Sequence, residues 1–133
     1  MKALGLAFDT DYSTPEGIKR LRYGRVIFFT DQDPDGDHIC GVLMASLYAM
    51  FPTLIGSNIF FRMITPIVKA SKGREKRNFY SIGEKDRWWD SLSAEQRRGW
   101  TLKYYKGLGT SSNEEGREYF RNLANLCKQL NAD

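Results

Sequence analysis

The stretch VIFFTDQDPDGDHI, residues 26–39, decides the fold of this chain. It opens with a four-residue apolar run that is typical of a buried β-strand, and three aspartates follow at alternate positions: Asp31, Asp33 and Asp35. Carboxylates gathered at the end of a strand repel one another unless a cation, hydrogen bonds or solvent offsets their charge. Their oxygens suit Mg²⁺, and Gly36 would allow a sharp turn that brings them together. The stretch therefore predicts a divalent-metal site at the edge of a sheet.

Two other interpretations fit part of this motif. The aspartates could simply end a strand and begin a helix, with Asp37 capping the residues from His38 onward. An EF-hand calcium loop also opens with D-x-D-x-D-G, but it needs a helix before it and a bidentate Glu at its twelfth position, where this chain has Val42. The EF-hand is excluded, and the capping interpretation stays open.

The sequence around this motif alternates between strand and helix patterns. The apolar positions after the aspartates recur at helical spacing until Pro52 and predict an amphipathic helix packed on the sheet: Ile39, Val42, Leu43, Leu47, Met50 and Phe51. Two strands joined by the basic turn 71–77 are expected next, and then a last strand from Leu102 to Tyr105. This alternation predicts an open α/β sheet, in which ligands gather at the carboxyl ends of the strands.

A final helix is expected to begin at Ser112, which has the capping-box spacing with Glu115. Its apolar residues would share one face of the helix: Tyr119, Phe120, Leu123, Leu126 and Leu130. The segment before it, Lys103–Ser111, contains K-G-L-G-T-S and joins the last strand to this helix. A strand, a glycine-rich loop and a helix form an anion-binding geometry, although a plain tight turn with Lys106 in solvent also fits.

Charge and composition narrow the class of protein. The net charge is +4, and without Asp31, Asp33, Asp35 and Asp37 the chain has 20 basic against 12 acidic residues. A basic body around an acidic cluster suits a polyanionic partner. Because no stretch has the length and apolarity of a bilayer span or the pattern of a secretory signal, we expect an intracellular protein that does not bind membranes.

Four segments together resemble the Toprim region of type IIA DNA topoisomerases, most closely the eukaryotic topoisomerase II branch. They are Leu21–Gly24, Thr30–Ile39, Ile64–Lys69 and Lys103–Ser111. The resemblance implies a Toprim-like α/β fold: an open, mainly parallel sheet flanked by helices, with an inserted β-hairpin. It also implies that Asp31 and Asp33 bind Mg²⁺ directly and that Asp35 completes the site directly or through water. The residues implied to lie near the DNA backbone are His38, Lys106, Gly107 and Gly109.

The function implied by the resemblance is that of an enzyme which cuts both strands of one DNA duplex, passes another duplex through and reseals the break. Mg²⁺ would be the metal, with Mn²⁺ as a possible substitute, and ATP would be used by the complete enzyme only. The implied partners are double-stranded DNA, the remainder of the topoisomerase and a second copy of the complete enzyme. A eukaryotic source would place it in the nucleus.

The chain also departs from the family pattern. The Glu-Gly-Asp-Ser motif that opens the family's Toprim region, with its metal-binding glutamate, is not among the 133 residues. The family's DNA-attacking tyrosine belongs to a winged-helix domain, so no catalytic residue is expected in this chain. Residues 1–133 are therefore interpreted as a partial Toprim domain, inactive alone and a weak Mg²⁺ binder. The alternative is a non-catalytic Toprim remnant that binds DNA or a topoisomerase partner.

Overall fold

A computed structural model describes residues 1–130 of the chain, which divide into two compact units. The first unit contains residues 1–30, 34–63 and those from 123 onward, and the second contains residues 31–33 and 64–122. The domain predicted over residues 1–133 thus includes three residues outside the described part.

Six α-helices and six strands are described between residues 1 and 130. The helices are α1 (Pro15–Lys19), α2 (Pro34–Met50), α3 (Ile82–Ser91), α4 (Ala94–Arg97), α5 (Asn113–Arg121) and α6 (Leu123–Leu126). The strands are β1 (Val26–Phe28), β2 (Phe60–Met63), β3 (Val68–Lys72), β4 (Glu75–Phe79), β5 (Thr101–Tyr104) and β6 (Cys127–Gln129). Short 3₁₀ turns cover Lys2–Leu4, Pro52–Ser57 and Leu108–Thr110.

The first unit is built on a three-stranded sheet with the order β1-β2-β6. β1 and β2 are parallel, with Val26 opposite Phe60, because α2 carries the chain back across the sheet between them. β6 adds antiparallel to the other edge of β2. The core of this unit is a cluster of buried side chains: Tyr12, Phe51, Leu54, Ile55, Ile59 and Phe60.

Helix α2 ends at Met50, before Pro52, as predicted, but of its predicted apolar positions only Leu47 and Phe51 pack in the core. Gly36 and Cys40 are buried along it, and Met44 and Leu47 pack against the core cluster. The predicted core positions Ile39, Val42, Leu43 and Met50 are exposed. The helix is apolar on nearly all sides, so the spacing of apolar residues alone could not identify its buried face. The buried residues Gly36 and Cys40 are small.

The second unit is built on an antiparallel sheet with the order β4-β3-β5. β3 and β4 form a hairpin whose turn includes Gly73 at φ +59°, and β5 pairs with the other edge of β3. The buried centre consists of Val68, Ala70 and Phe79. Trp88 lies with its ring centroid 5.0 Å from Phe79 and meets Trp100 edge-on at 5.1 Å. Trp88 and Trp100 are thus packing residues of this unit.

The mixed α/β class is confirmed, and two details of the prediction are wrong. Instead of one mainly parallel sheet, residues 1–130 form two small sheets in which β1–β2 is the parallel pair. The two-residue turn of the β3–β4 hairpin is too short for a parallel crossover, so that pair must be antiparallel. The single helix expected from Ser112 to Leu130 instead breaks at Asn122, after which the chain continues as α6 and then β6. Pairing of β6 with β2 satisfies backbone groups that an exposed helix end would leave to solvent.

Within the described residues, no helix is both long and apolar enough to cross a bilayer.

Candidate functional site

The acidic segment occupies the connection between β1 and α2. β1 ends at Phe28 and α2 begins at Pro34, where a proline costs no hydrogen bond, so Asp31 and Asp33 lie in the connection. Asp35 and Asp37 lie in the first helical turn, where carboxylates complement the helix dipole. The sharp turn expected at Gly36 is therefore wrong, because this residue is helical and buried. The helix begins before Asp37, so the capping role considered for Asp37 is also excluded.

Asp31 meets the second motif of the sequence. The backbone N–H of Leu108 donates a hydrogen bond to Asp31 Oδ1 at 2.8 Å, across 77 residues of sequence. Gly107 has φ +146°, and a Cβ on it would lie 2.5 Å from the same carboxylate oxygen. Backbone conformation and space both require glycine at this position. Asp31 and the K-G-L-G loop thus form one local structure within the second unit.

The other residues predicted to contact DNA are distributed over both units. Lys106 and Gly109 are exposed and Gly107 is half-buried, all in the loop of the second unit that contains Leu108. His38 is exposed on α2 in the first unit. Gly107 therefore lies beside Asp31 in the second unit, whereas His38 belongs to the first unit.

The aspartates have the right chemistry for Mg²⁺. Within residues 1–130, no three His, Cys, Asp or Glu side chains form a group able to hold a metal ion. Mg²⁺ keeps several waters and is commonly bound through one or two carboxylates together with substrate phosphates, rather than by a cage of protein ligands. Asp31 and Asp33, two residues apart in the second unit, provide carboxylates of this kind. The donor set fits a magnesium ion shared with a phosphate.

Asp37, the fourth acidic residue, pairs with a buried cation that the sequence analysis missed. Arg62 Nη1 donates to Asp37 Oδ1 within the first unit. The guanidinium stands in the middle of β2, in the apolar run Ile59-Phe60-Phe61-Arg62-Met63. A charged residue inside an apolar strand was the signal available in the sequence, since such a residue is rarely buried without a partner.

A second ionic cluster connects strands β3 and β5 with helix α5. Tyr105, which directly precedes Lys106, is buried and donates its O–H to Glu115 Oε1. Glu115 also accepts from the Ser112 N–H at 2.8 Å and lies 3.3 Å from Lys69 Nζ and 3.6 Å from Lys103 Nζ. The predicted capping box between Ser112 and Glu115 is confirmed, and the same carboxylate also fastens α5 to strands β3 and β5.

This cluster shifts the pKa values of two of its members. Burial by itself would raise the pKa of Glu115, but the hydrogen bonds from Tyr105 and the Ser112 N–H, together with Lys69, outweigh it and lower that pKa to about 2. Burial and the bond to Glu115 raise the pKa of Tyr105. Glu115 therefore remains ionised and Tyr105 neutral across the physiological range. The capping-box spacing of Ser112 and Glu115 pointed to this carboxylate in the sequence, whereas the position of Lys69 opposite Lys103 on β3 and β5 is a property of the fold.

Comparisons with known proteins agree in pointing to one family. Residues 63–133 match the family model described as the C-terminal associated domain of TOPRIM. DNA topoisomerase 2-beta of Gallus gallus is 44% identical over 123 residues, which cover 92% of this chain and 7% of that protein. The mitochondrial DNA topoisomerase 2 of Dictyostelium discoideum is 42% identical over 121 residues, which cover 90% of this chain and 9% of that protein.

A solved structure shows a similar fold. The crystal structure of the Plasmodium falciparum topoisomerase II DNA-binding, cleavage and re-ligation domain aligns with a TM-score of 0.83 and 37% sequence identity. The alignment covers 95% of this chain and 17% of that one. The chain thus spans less than a tenth of the two relatives above and about a sixth of this domain.

Proposed function

Because this chain belongs to the family of the C-terminal associated domain of TOPRIM, we propose that it is the Mg²⁺-binding Toprim portion of an ATP-dependent type II DNA topoisomerase. In that role it supports double-strand DNA cleavage and religation. One contact supports this function most directly: Leu108 N–H donates to Asp31, which joins the acidic motif to the glycine-rich loop. The complete enzyme would act as a homodimer on double-stranded DNA, in the nucleus of a eukaryotic source.

Each motif residue has a definite task in this proposal. Asp31 and Asp33 would hold Mg²⁺, which when bound would stabilise charge on the phosphate undergoing cleavage. The hydrogen bond from Leu108 orients the Asp31 carboxylate before the ion arrives, which reduces the ordering needed on binding. Lys106 and His38 contact the DNA backbone, and Gly107 and Gly109 let the loop approach it closely. No residue of this chain acts as the nucleophile.

The alternative function is a non-catalytic Toprim remnant that binds DNA or a topoisomerase partner. One observation favours it: the described residues do not form a three-ligand metal group. The two functions differ in metal binding. A catalytic portion binds a divalent cation through Asp31 and Asp33, whereas a remnant binds DNA without using these carboxylates for a metal.

A Mn²⁺ titration followed by electron paramagnetic resonance tests the proposal, because free and bound Mn²⁺ give different signals. We expect weak, saturable binding by the 133-residue chain and loss of this binding in the D31A/D33A variant. The matched control is D9A/E95A, which removes two exposed carboxylates outside the acidic segment and so changes the net charge equally. Equal binding by D31A/D33A and the unmodified chain would refute the metal assignment.

A further inference from the structure

The starting point is a buried positive charge in the first unit. Arg62 lies in β2 with 8% of its surface exposed, next to the buried residue Met63. Removing a guanidinium from water is costly unless charged and polar partners replace the lost solvation. An apolar residue would fill this strand position at a lower cost, so the contacts of Arg62 indicate why it is there.

Those contacts lie at the two ends of the acidic segment. Arg62 Nε donates a hydrogen bond to Thr30 Oγ1 at 3.0 Å, and Arg62 Nη1 donates to Asp37 Oδ1. Thr30 immediately precedes Asp31, and Asp37 follows Asp35 in the first turn of α2. One side chain therefore contacts both flanks of the segment that carries Asp31, Asp33 and Asp35.

The geometry of the guanidinium makes this bridge specific. Its donors form a rigid planar fork, so simultaneous bonds to Thr30 and Asp37 set the separation of these two residues. A lysine ammonium on its flexible stem could hold one of them but would not impose a separation. Fixing both ends of a short segment restricts the conformations open to the residues between them.

From these contacts we infer that Arg62 is a positioning residue: it closes the acidic segment at Thr30 and Asp37 and so places the carboxylates for metal binding. This inference rests on the function proposed above, which assigns Asp31 and Asp33 to the metal. Arg62 itself touches neither metal nor DNA in this role. Its effect is transmitted through the backbone on either side of the aspartates.

Positioning and simple electrostatics predict opposite results for the loss of Arg62. If the guanidinium acted only through its charge, removing a cation beside the acidic segment would strengthen binding of Mn²⁺. If it acts by closing the segment, removing it weakens binding although the local charge becomes more negative. The sign of the change in affinity therefore separates the two effects.

A second measurement reads the position of Asp31 without metal. The amide of Leu108 donates to Asp31 Oδ1, so its hydrogen exchange reports whether that carboxylate stays in place. The amides of β3, in the same unit, report whether the unit remains folded. Selective loss of protection at Leu108 would show displacement of Asp31 rather than unfolding.

The experiment compares R62M, R62K and R25M of the 133-residue chain by hydrogen exchange without metal and by Mn²⁺ titration. Arg25 is an exposed arginine of the first unit that lies over the Phe61 ring, so R25M is the matched control. In R62M we expect exchange at Leu108 to accelerate about tenfold and Mn²⁺ affinity to fall several-fold, by analogy with the loss of a buried hydrogen-bonded charge. R62K should lie between R62M and the unmodified chain, and R25M should match the unmodified chain.

Two results would overturn the inference: a folded R62M with unchanged exchange at Leu108, or an R62M that binds Mn²⁺ more tightly. If R62M does not fold, T30V replaces it, because this near-isosteric change removes the hydroxyl that accepts from Arg62 Nε. If the unmodified chain binds no Mn²⁺, the proposed function fails, and exchange at Leu108 then decides the positioning role by itself.

Discussion

Two strand–loop–helix connections of this chain are fastened by ions of opposite sign, of which Arg62 is buried and Glu115 is half-buried. At the connection between β1 and α2, the buried group is the cation Arg62 of β2. Its side chain is 10% exposed, while that of its partner Asp37 is 69% exposed. At the connection between β5 and α5, the corresponding group is the half-buried anion Glu115 of α5, which is 18% exposed and pairs with Lys69 and the half-exposed Lys103. Each connection is thus fastened by one ion that is largely shielded from solvent.

The difference follows the charge that each loop displays. The first connection displays Asp31, Asp33 and Asp35, and the buried ion beside it is positive. The second connection displays Lys106 and follows the exposed Lys103 of β5, and the ion that fastens it, Glu115, is negative. A charge shielded from solvent is costly alone but is offset by opposite charges nearby, so Asp37 stabilises Arg62, and Lys69 and Lys103 stabilise Glu115.

The strongest way to break this arrangement is the substitution G107A. A Cβ here would overlap the Asp31 carboxylate, and φ +146° is unfavourable for alanine, so we expect a loss of about 2–4 kcal/mol of unfolding free energy. Urea denaturation measures it. The matched control is G109A, where an added Cβ meets nothing within 4 Å. Similar stability of G107A and G109A would contradict the contact between the two motifs.

The next largest effect is expected from E115Q and depends on pH. The pKa of Glu115 is about 2 in the folded chain, below its ordinary value of 4.5, so its stabilisation is present above pH 4.5 and is lost as pH falls toward 2. At pH 7 we expect E115Q to cost about 2 kcal/mol, with the difference from the unmodified chain shrinking below pH 4.5. Urea denaturation between pH 7 and pH 3 tests this.

The control for that experiment is E114Q, which changes an exposed glutamate of the same helical turn. It should leave both the stability and its pH dependence nearly unchanged. If E115Q and E114Q gave the same pH profile, the stability that is lost at low pH would not come from ionisation of Glu115.

The smallest effect is expected from K106A, which removes a positive charge from the loop between β5 and α5. Removing one phosphate contact should weaken binding to duplex DNA a few-fold and reduce the slope of log K against log salt by about 1. Fluorescence anisotropy at several salt concentrations measures both quantities. K128A, which removes an exposed lysine of β6, serves as the control, and an equal change in slope for both variants would assign the effect to net charge alone.

Local chemistry explains why much of the chain could be predicted. The end of α2 before Pro52 and the capping box at Ser112 each depend on residues within a few positions of one another. The break of the last helix at Asn122 could not be predicted in this way. Leu126 continues a helical apolar pattern, but residues 127–129 instead pair with β2, some 65 positions earlier in the chain.

The sequence by itself determined the chemistry of the site: which residues carry carboxylates, where glycines free the backbone and where a basic loop follows a strand. These properties belong to residue types and short spacings, and they sufficed to indicate the family. Only the tertiary structure decided which groups meet. Asp31 receives the Leu108 amide, Arg62 joins Thr30 to Asp37, and Glu115 receives the Tyr105 hydroxyl. The first two of these sets bring together residues far apart in the chain, and the Tyr105–Glu115 bond spans the loop between β5 and α5. Burial makes an unpaired charge or polar group costly, and this condition, which arises only when the chain is folded, favours the contacts of Arg62 and Glu115.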